Sequence, residues 1–184
     1  MTARRWTAAL VPLVAIALVS GCGGSKAHEV RSHGIVLVYP KGWSRLRQTS
    51  MTAQRGTELW SELVGPAKKT TDLVILSAYD TPVAITSANA SRYADEVKGA
   101  IASLALRAGG RLLSGPSPVT MGGFPGYGFV TTALSDQTLV ESRLVLVWKG
   151  KTEYFLNCQY DPTGTGKTEI ERGCKTIIAS FKTA

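Results

Sequence analysis

Histidine is all but missing from this chain: of 184 residues only His28 and His33 carry an imidazole, and none lies beyond position 33. A serine or cysteine nucleophile with a histidine base is therefore excluded from the body of the protein, and no Gly-x-Ser-x-Gly elbow is present to expose one. Two histidines five positions apart fall short of the ligand count of an ordinary metal site, so they read as exposed linker residues, and neither metal nor cofactor is expected. Clustered positive charge is also lacking. The formal charge is +8, yet Lys68-Lys69 is the only adjacent basic pair after Arg4-Arg5, which points to a solvated surface and no nucleic-acid patch. The carboxylate pairs Asp95-Glu96 and Glu169/Glu171 lie on helical stretches, where a solvated face accounts for them better than a glycosidase pair.

No apolar run reaches the roughly 20 residues that span a bilayer. Residues 8–19 form the longest, about a dozen, behind Arg4 and Arg5, with the proportions of a secretory leader. It ends Val19-Ser20-Gly21-Cys22, which resembles the lipobox of bacterial lipoproteins. The resemblance implies acylation of the Cys22 sulfur, cleavage after Gly21 and a mature chain tethered by its N-terminus to the extracytoplasmic face of the cell membrane. The plain alternative is an ordinary cysteine behind a fortuitous apolar segment. Arg4-Arg5-Trp6 also resembles a twin-arginine export signal, from which Thr7 and Ala8 depart. Two acyl chains would make attachment stable. The expected organisation is a signal peptide over 1–21, a lipidated tether over 22–33 and one domain over 34–184. Removing Arg4 and Arg5 leaves +6, a balance suited to anionic headgroups or acidic wall polymers.

Export also explains the cysteines. With Cys22 assigned to lipid, Cys158 and Cys174 remain as an even pair, read as a disulfide in an oxidising compartment; two buried thiols are the alternative. Its loop of 16 residues would contribute roughly 3 kcal/mol in the chain-entropy model.

The folded part opens with a β-rich run over 34–39, then the turn Pro40-Lys41-Gly42-Trp43. Residues 58–64 fit a strand or a short helix, with strand favoured by the β-rich surroundings. Residues 72–79 are almost continuously apolar, as in a strand covered on both faces. Periodicity then changes. From Ser87, Tyr93, Val97, Ile101 and Leu104 recur at helical spacing until Gly109-Gly110. A meander follows: 127–134, a turn at Ser135-Asp136-Gln137, 139–148, a hairpin at Lys149-Gly150-Lys151, and 152–160. Ile170, Cys174, Ile177 and Phe181 then mark a last helix.

Val38-Tyr39-Pro40-Lys41-Gly42-Trp43, Met121-Gly122-Gly123-Phe124-Pro125-Gly126-Tyr127 and Ile177-Ile178-Ala179-Ser180-Phe181, with this order of elements, resemble the PsbP/Mog-type fold, including actinobacterial lipoproteins of the LpqN/LpqT type. The resemblance implies an α+β protein, an α/β/α sandwich with a mostly antiparallel sheet flanked by helices. It implies an accessory or binding role and does not imply catalysis. One motif opposes it: Gly166-Lys167-Thr168 follows a strand and opens a helix, as in a phosphate-binding loop. Asp161 occupies the position of that pattern's first glycine and Pro162 removes a donor, so no nucleotide is expected.

The expected function is thus a non-enzymatic, lipid-anchored envelope protein that binds another envelope protein. A carrier or sensor of an envelope lipid or glycolipid is the second reading, with Trp43, Trp60, Phe124, Tyr127 and Trp148 lining an apolar cleft between helix and sheet, although the same rings would equally fill a core. A cryptic hydrolase is the third.

Overall fold

In the computed structural model, residues 28–46, 57–66 and 71–183 are described. Cys22, the leader and the first part of the expected tether lie outside them. The order is β1 (His28–Ser32), β2 (Ile35–Tyr39), β3 (Trp43–Arg45), β4 (Thr57–Pro66), β5 (Leu73–Ile85), α1 (Ala90–Arg107), β6 (Arg111–Met121), β7 (Phe124–Ser135), β8 (Thr138–Tyr160), α2 (Lys167–Ser180) and β9 (Lys182–Thr183). Six strands form an antiparallel sheet in the order β3-β4-β5-β8-β7-β6, and β1-β2-β9 form a small second sheet. The fold is α+β, with one helix on each face of the large sheet.

Strand alternation sorts the side chains into two cores. On one face Val74, Leu76 and Ala78 of β5, with Leu156 and Tyr160 of β8, pack against Ile170, Cys174 and Ile177 of α2 and against Ile35 and Leu37 of β2. On the other, Phe129, Leu144, Leu146 and Trp148 receive Val97 and Ile101 of α1. Cys158 of β8 and Cys174 of α2 are joined by a disulfide, with Cα atoms 6.3 Å apart, so the last helix is covalently fixed to the sheet.

Four expectations are corrected. First, no hairpin forms at Lys149-Gly150-Lys151: β8 runs unbroken for 23 residues. Its first half pairs with β7, Leu139 opposite Leu134 and Val147 opposite Gly126. Its second half pairs with β5, Gly150 opposite Ile85 and Gln159 opposite Leu73. Gly150, at φ +63°, marks a step in the alternation. Even-numbered Leu144, Leu146 and Trp148 face α1 before it, whereas Phe155 faces the same way after it. A glycine between lysines suits a turn and an irregular strand alike.

Second, part of the expected tether is folded. His28–Ser32 pairs with Ile35–Tyr39, and the turn between them is made by His33 (φ 52°) and Gly34 (φ 71°). Most of β1 is exposed, with Val30 packed on the core, so it shows no apolar alternation. Third, the buried stripe of α1 is Ala94, Val97, Ile101 and Ala105: it shares Val97 and Ile101 with the expected one, Tyr93 packs half-buried at its margin, and Leu104 is exposed. Helix and sheet approach closely there: Gly110, just past the helix, has room for no side chain, since a Cβ would lie 1.9 Å from the Thr132 carbonyl oxygen. Fourth, the helix begins after Asn89 rather than Ser87. The Asn89 amide accepts the Thr86 N–H at 2.7 Å and donates to the Ala84 carbonyl at 3.0 Å, bracing the preceding turn. The stretch read as strand or short helix is strand β4, with an irregular step between Glu58 and Trp60.

Candidate binding groove beside the first helix

Because α1 meets the sheet with small side chains, it does not close the whole face. Beside it lies an open groove of about 400 Å³, walled by Ile101, Leu104 and Ala105 of α1, by Ala108 just past its end, and by Ala133, Leu144 and Phe155 of the sheet. Alanines at 105 and 108 leave the space that leucines would occupy. Polar groups collect along the sheet floor: Thr131, Ser142, Asn157 and Gln159. The Asn157 Oδ1 is buried and accepts no hydrogen bond among the described residues, and such an acceptor is costly to leave unmet.

Glu153 stands where this groove meets a second hollow of about 400 Å³, lined by Tyr79, Asp80, Tyr93, Glu96 and Val97; Tyr79 and Glu153 line both. Glu153 is 4% exposed, and its Oε2 accepts the Trp148 indole N–H at 2.9 Å. The arrangement offers apolar walls, a buried acceptor and a fixed carboxylate. It brings no imidazole near the groove, since His33 stacks on Trp60 on the other face of the sheet.

The five aromatics expected to line one cleft are divided by the sheet. Trp43 is buried under α2, its ring against Gly173, where a Cβ would come within 2.3 Å, and its Nε1 donates to Glu169 at 3.4 Å. Trp60 and Phe124 also pack on the α2 face; Phe124 lies 6.3 Å from the Tyr154 ring. Tyr127 and Trp148 belong to the α1 face, their rings 6.2 Å apart. No single cleft can include both groups. No sequence signal marks this groove, because its walls are mostly aliphatic and alanine, and three of its four polar floor residues alternate with core residues on β8.

Two partly exposed polar clusters, each centred on a buried side chain, pin elements together. Glu62 accepts the Tyr39 hydroxyl at 2.8 Å, while its Oε1 faces Arg45 at 3.0 Å and His33 at 3.5 Å. Burial, reinforced by the Glu62 carboxylate, pushes the Tyr39 phenol well above its ordinary 10.0. This cluster clasps the β1–β2 hairpin to the large sheet. At the start of α2, the Tyr160 hydroxyl donates to Glu141, and Arg143 pairs with Glu171 at 2.8 Å. Burial, then the Glu141 bond, raises the Tyr160 phenol. Glu169 and Glu171 are thus engaged with Trp43 and Arg143 instead of lying on a solvated face, whereas Asp95 and Glu96 are exposed on α1. In the loop that resembles a phosphate-binding one, Asp161 accepts the Thr163 N–H at 2.8 Å, and the Lys167 ammonium stands 5.6 Å from the Tyr160 ring centre. Among the described residues, no helix is long and apolar enough to cross a membrane.

Comparison with sequence-family models and with characterised protein sequences finds no match. Solved structures are similar in three dimensions. The solution structure of cyanobacterial PsbP (CyanoP) from Synechocystis is 12% identical with a TM-score of 0.58, over 90% of this chain and 99% of that one. The crystal structure of LpqN, described as involved in cell envelope biogenesis of Mycobacterium tuberculosis, is 16% identical with a TM-score of 0.50, over 86% of this chain and 91% of that one. A Bacteroides thetaiotaomicron protein is 14% identical with a TM-score of 0.52 over 82% of this chain; the match spans 45% of that longer chain. At these identities the likeness establishes a PsbP-like fold.

Proposed function

We propose that this chain is a non-enzymatic, lipid-anchored protein of the cell envelope that binds another envelope component, using the groove between α1 and the sheet as its contact surface. The observation that carries the reading is the groove itself: about 400 Å³ of apolar-walled space with Thr131, Ser142, Asn157 and Gln159 along its floor. Concave apolar sites with a few fixed polar groups are the usual form of a recognition site. The leader and Val-Ser-Gly-Cys support the anchor, and the likeness to the envelope protein LpqN supports the setting. The absence of histidine after His33 supports binding over hydrolysis. A photo-cross-linker at Leu104 should capture one reproducible envelope protein from intact cells, and one at Lys175 on α2 should not. Equal capture at both positions, or none at Leu104, would remove the groove from the reading.

An amphiphile carrier is the second reading, favoured by the sequence of aliphatic wall and polar floor within one groove. Native mass spectrometry with added glycolipid should then show a retained adduct that Ala105→Trp abolishes. Retention unchanged by the filled groove would rule this site out.

A further inference from the structure

The end of the molecule where α1 stops has a chemistry of its own. Leu106 is 73% exposed there, and Leu113, Leu134 and Leu139 are each about half exposed. Backbone contacts bring these segments to one end of the fold, where Leu134 and its partner Leu139 leave the sheet on the face opposite Ala133 of the groove. The Leu134 N–H donates to the Ala108 carbonyl at 2.7 Å, and Leu134 pairs across the hairpin with Leu139. β6 starts beside them with Arg111 opposite Thr132, and Leu113 occupies the irregular step before Ser114.

Arg107, in the last turn of α1, and Arg111 flank these leucines, both exposed and neither in an ion pair among the described residues. Asp136, in the hairpin turn, is the one acid of the tip. Single surface leucines need no explanation, but several gathered at one end do. We propose that this end docks on the surface of an anionic bilayer, the leucines entering the boundary between headgroups and acyl chains and Arg107 and Arg111 meeting lipid phosphates. Apolar insertion and attraction to anionic lipid act together in such binding.

A protein interface is the weaker fit, because the centres of those are enriched in Trp, Tyr and Arg anchors held in pockets, and no aromatic residue occurs over 106–113 or 134–139. The contact requires neither the groove nor acylation of Cys22, so it goes beyond the function proposed above.

Hydrogen exchange of the full chain, with phosphatidylcholine vesicles that contain or lack phosphatidylglycerol, tests it. Exchange over 106–113 and 134–140 should slow only on the anionic vesicles. The variant Arg107→Gln/Arg111→Gln should lose that protection, by roughly fivefold in surface partitioning for each arginine, while protection of β8 beyond Gly150 stays as it was. Leu106→Asp should lose it as well, and raised salt should weaken it. Exchange that is the same on anionic vesicles as in buffer overturns the proposal. So does equal protection on phosphatidylcholine alone, or protection that appears only after an envelope protein fraction is added.

Discussion

The two faces of the large sheet are built differently. On the α2 face, Trp43, Tyr160, Phe181 and Leu156 are buried, a disulfide fixes the helix, and two charged clusters seal the margins. On the α1 face the helix presents Ala94 and Ala105 beside Val97 and Ile101, and an open groove remains. One face is closed and holds the fold together. The other has given up packing area, and that is where a ligand can be accommodated. Both helices bury a stripe that includes small residues; at Gly173 of α2 the ring of Trp43 fills the space, whereas the space beside Ala105 of α1 stays open.

The contrast can be broken first on the closed face. Phe181→Ala, at a side chain 1% exposed, should destabilise the protein by about 3–5 kcal/mol, read as a lowered denaturant midpoint. Cys158→Ala/Cys174→Ala should cost roughly 3 kcal/mol, and reductant should lower the melting temperature of the parent but not of the double variant. A similar loss on replacing residues of the groove wall would show that the two faces are not distinct.

Alkaline titration sharpens the same comparison. Tyr39, Tyr154 and Tyr160 all lie on the α2 face and all have raised phenol pKa values, burial being the largest cause in each. Above the ordinary 10.0 the unfolded chain gives up protons that the folded one retains. Stability is therefore fully present below that value and falls as pH rises towards the raised folded values. Tyr39→Phe should make the decline in denaturant midpoint above that pH shallower. A wild-type midpoint that stays level there would contradict the burial of these phenols. The smallest effect belongs to the open face: Leu104→Ala, at a residue already 39% exposed, should change stability by less than about 0.5 kcal/mol while altering what the groove captures.

Much of this was legible in the residues. The apolar run of β5 and the helical spacing of α1 and α2 follow from local periodicity; the Cys158–Cys174 pair follows from the cysteine count once the lipobox resemblance assigns Cys22, and the α+β class from the resemblance to the PsbP/Mog-type fold. Less of the site was legible. The aromatics drew attention because they are large, yet Trp43 and Trp148 serve opposite cores, and the groove owes its space to Ala105 and Ala108, which carry no signal of their own.

Sequence by itself determined that residues 73–79 extend and that the segments of α1 and α2 coil with one apolar side, because those properties repeat within a few residues of one another. Tertiary structure alone decided that β8 continues through Gly150, that the solvent-exposed His28–Ser32 pairs as a strand, and that the five rings fall on two faces. Each depends on what lies opposite: a step at one glycine reverses the facing of every later side chain, and an edge strand is held by a neighbour's backbone, which its own side chains do not announce.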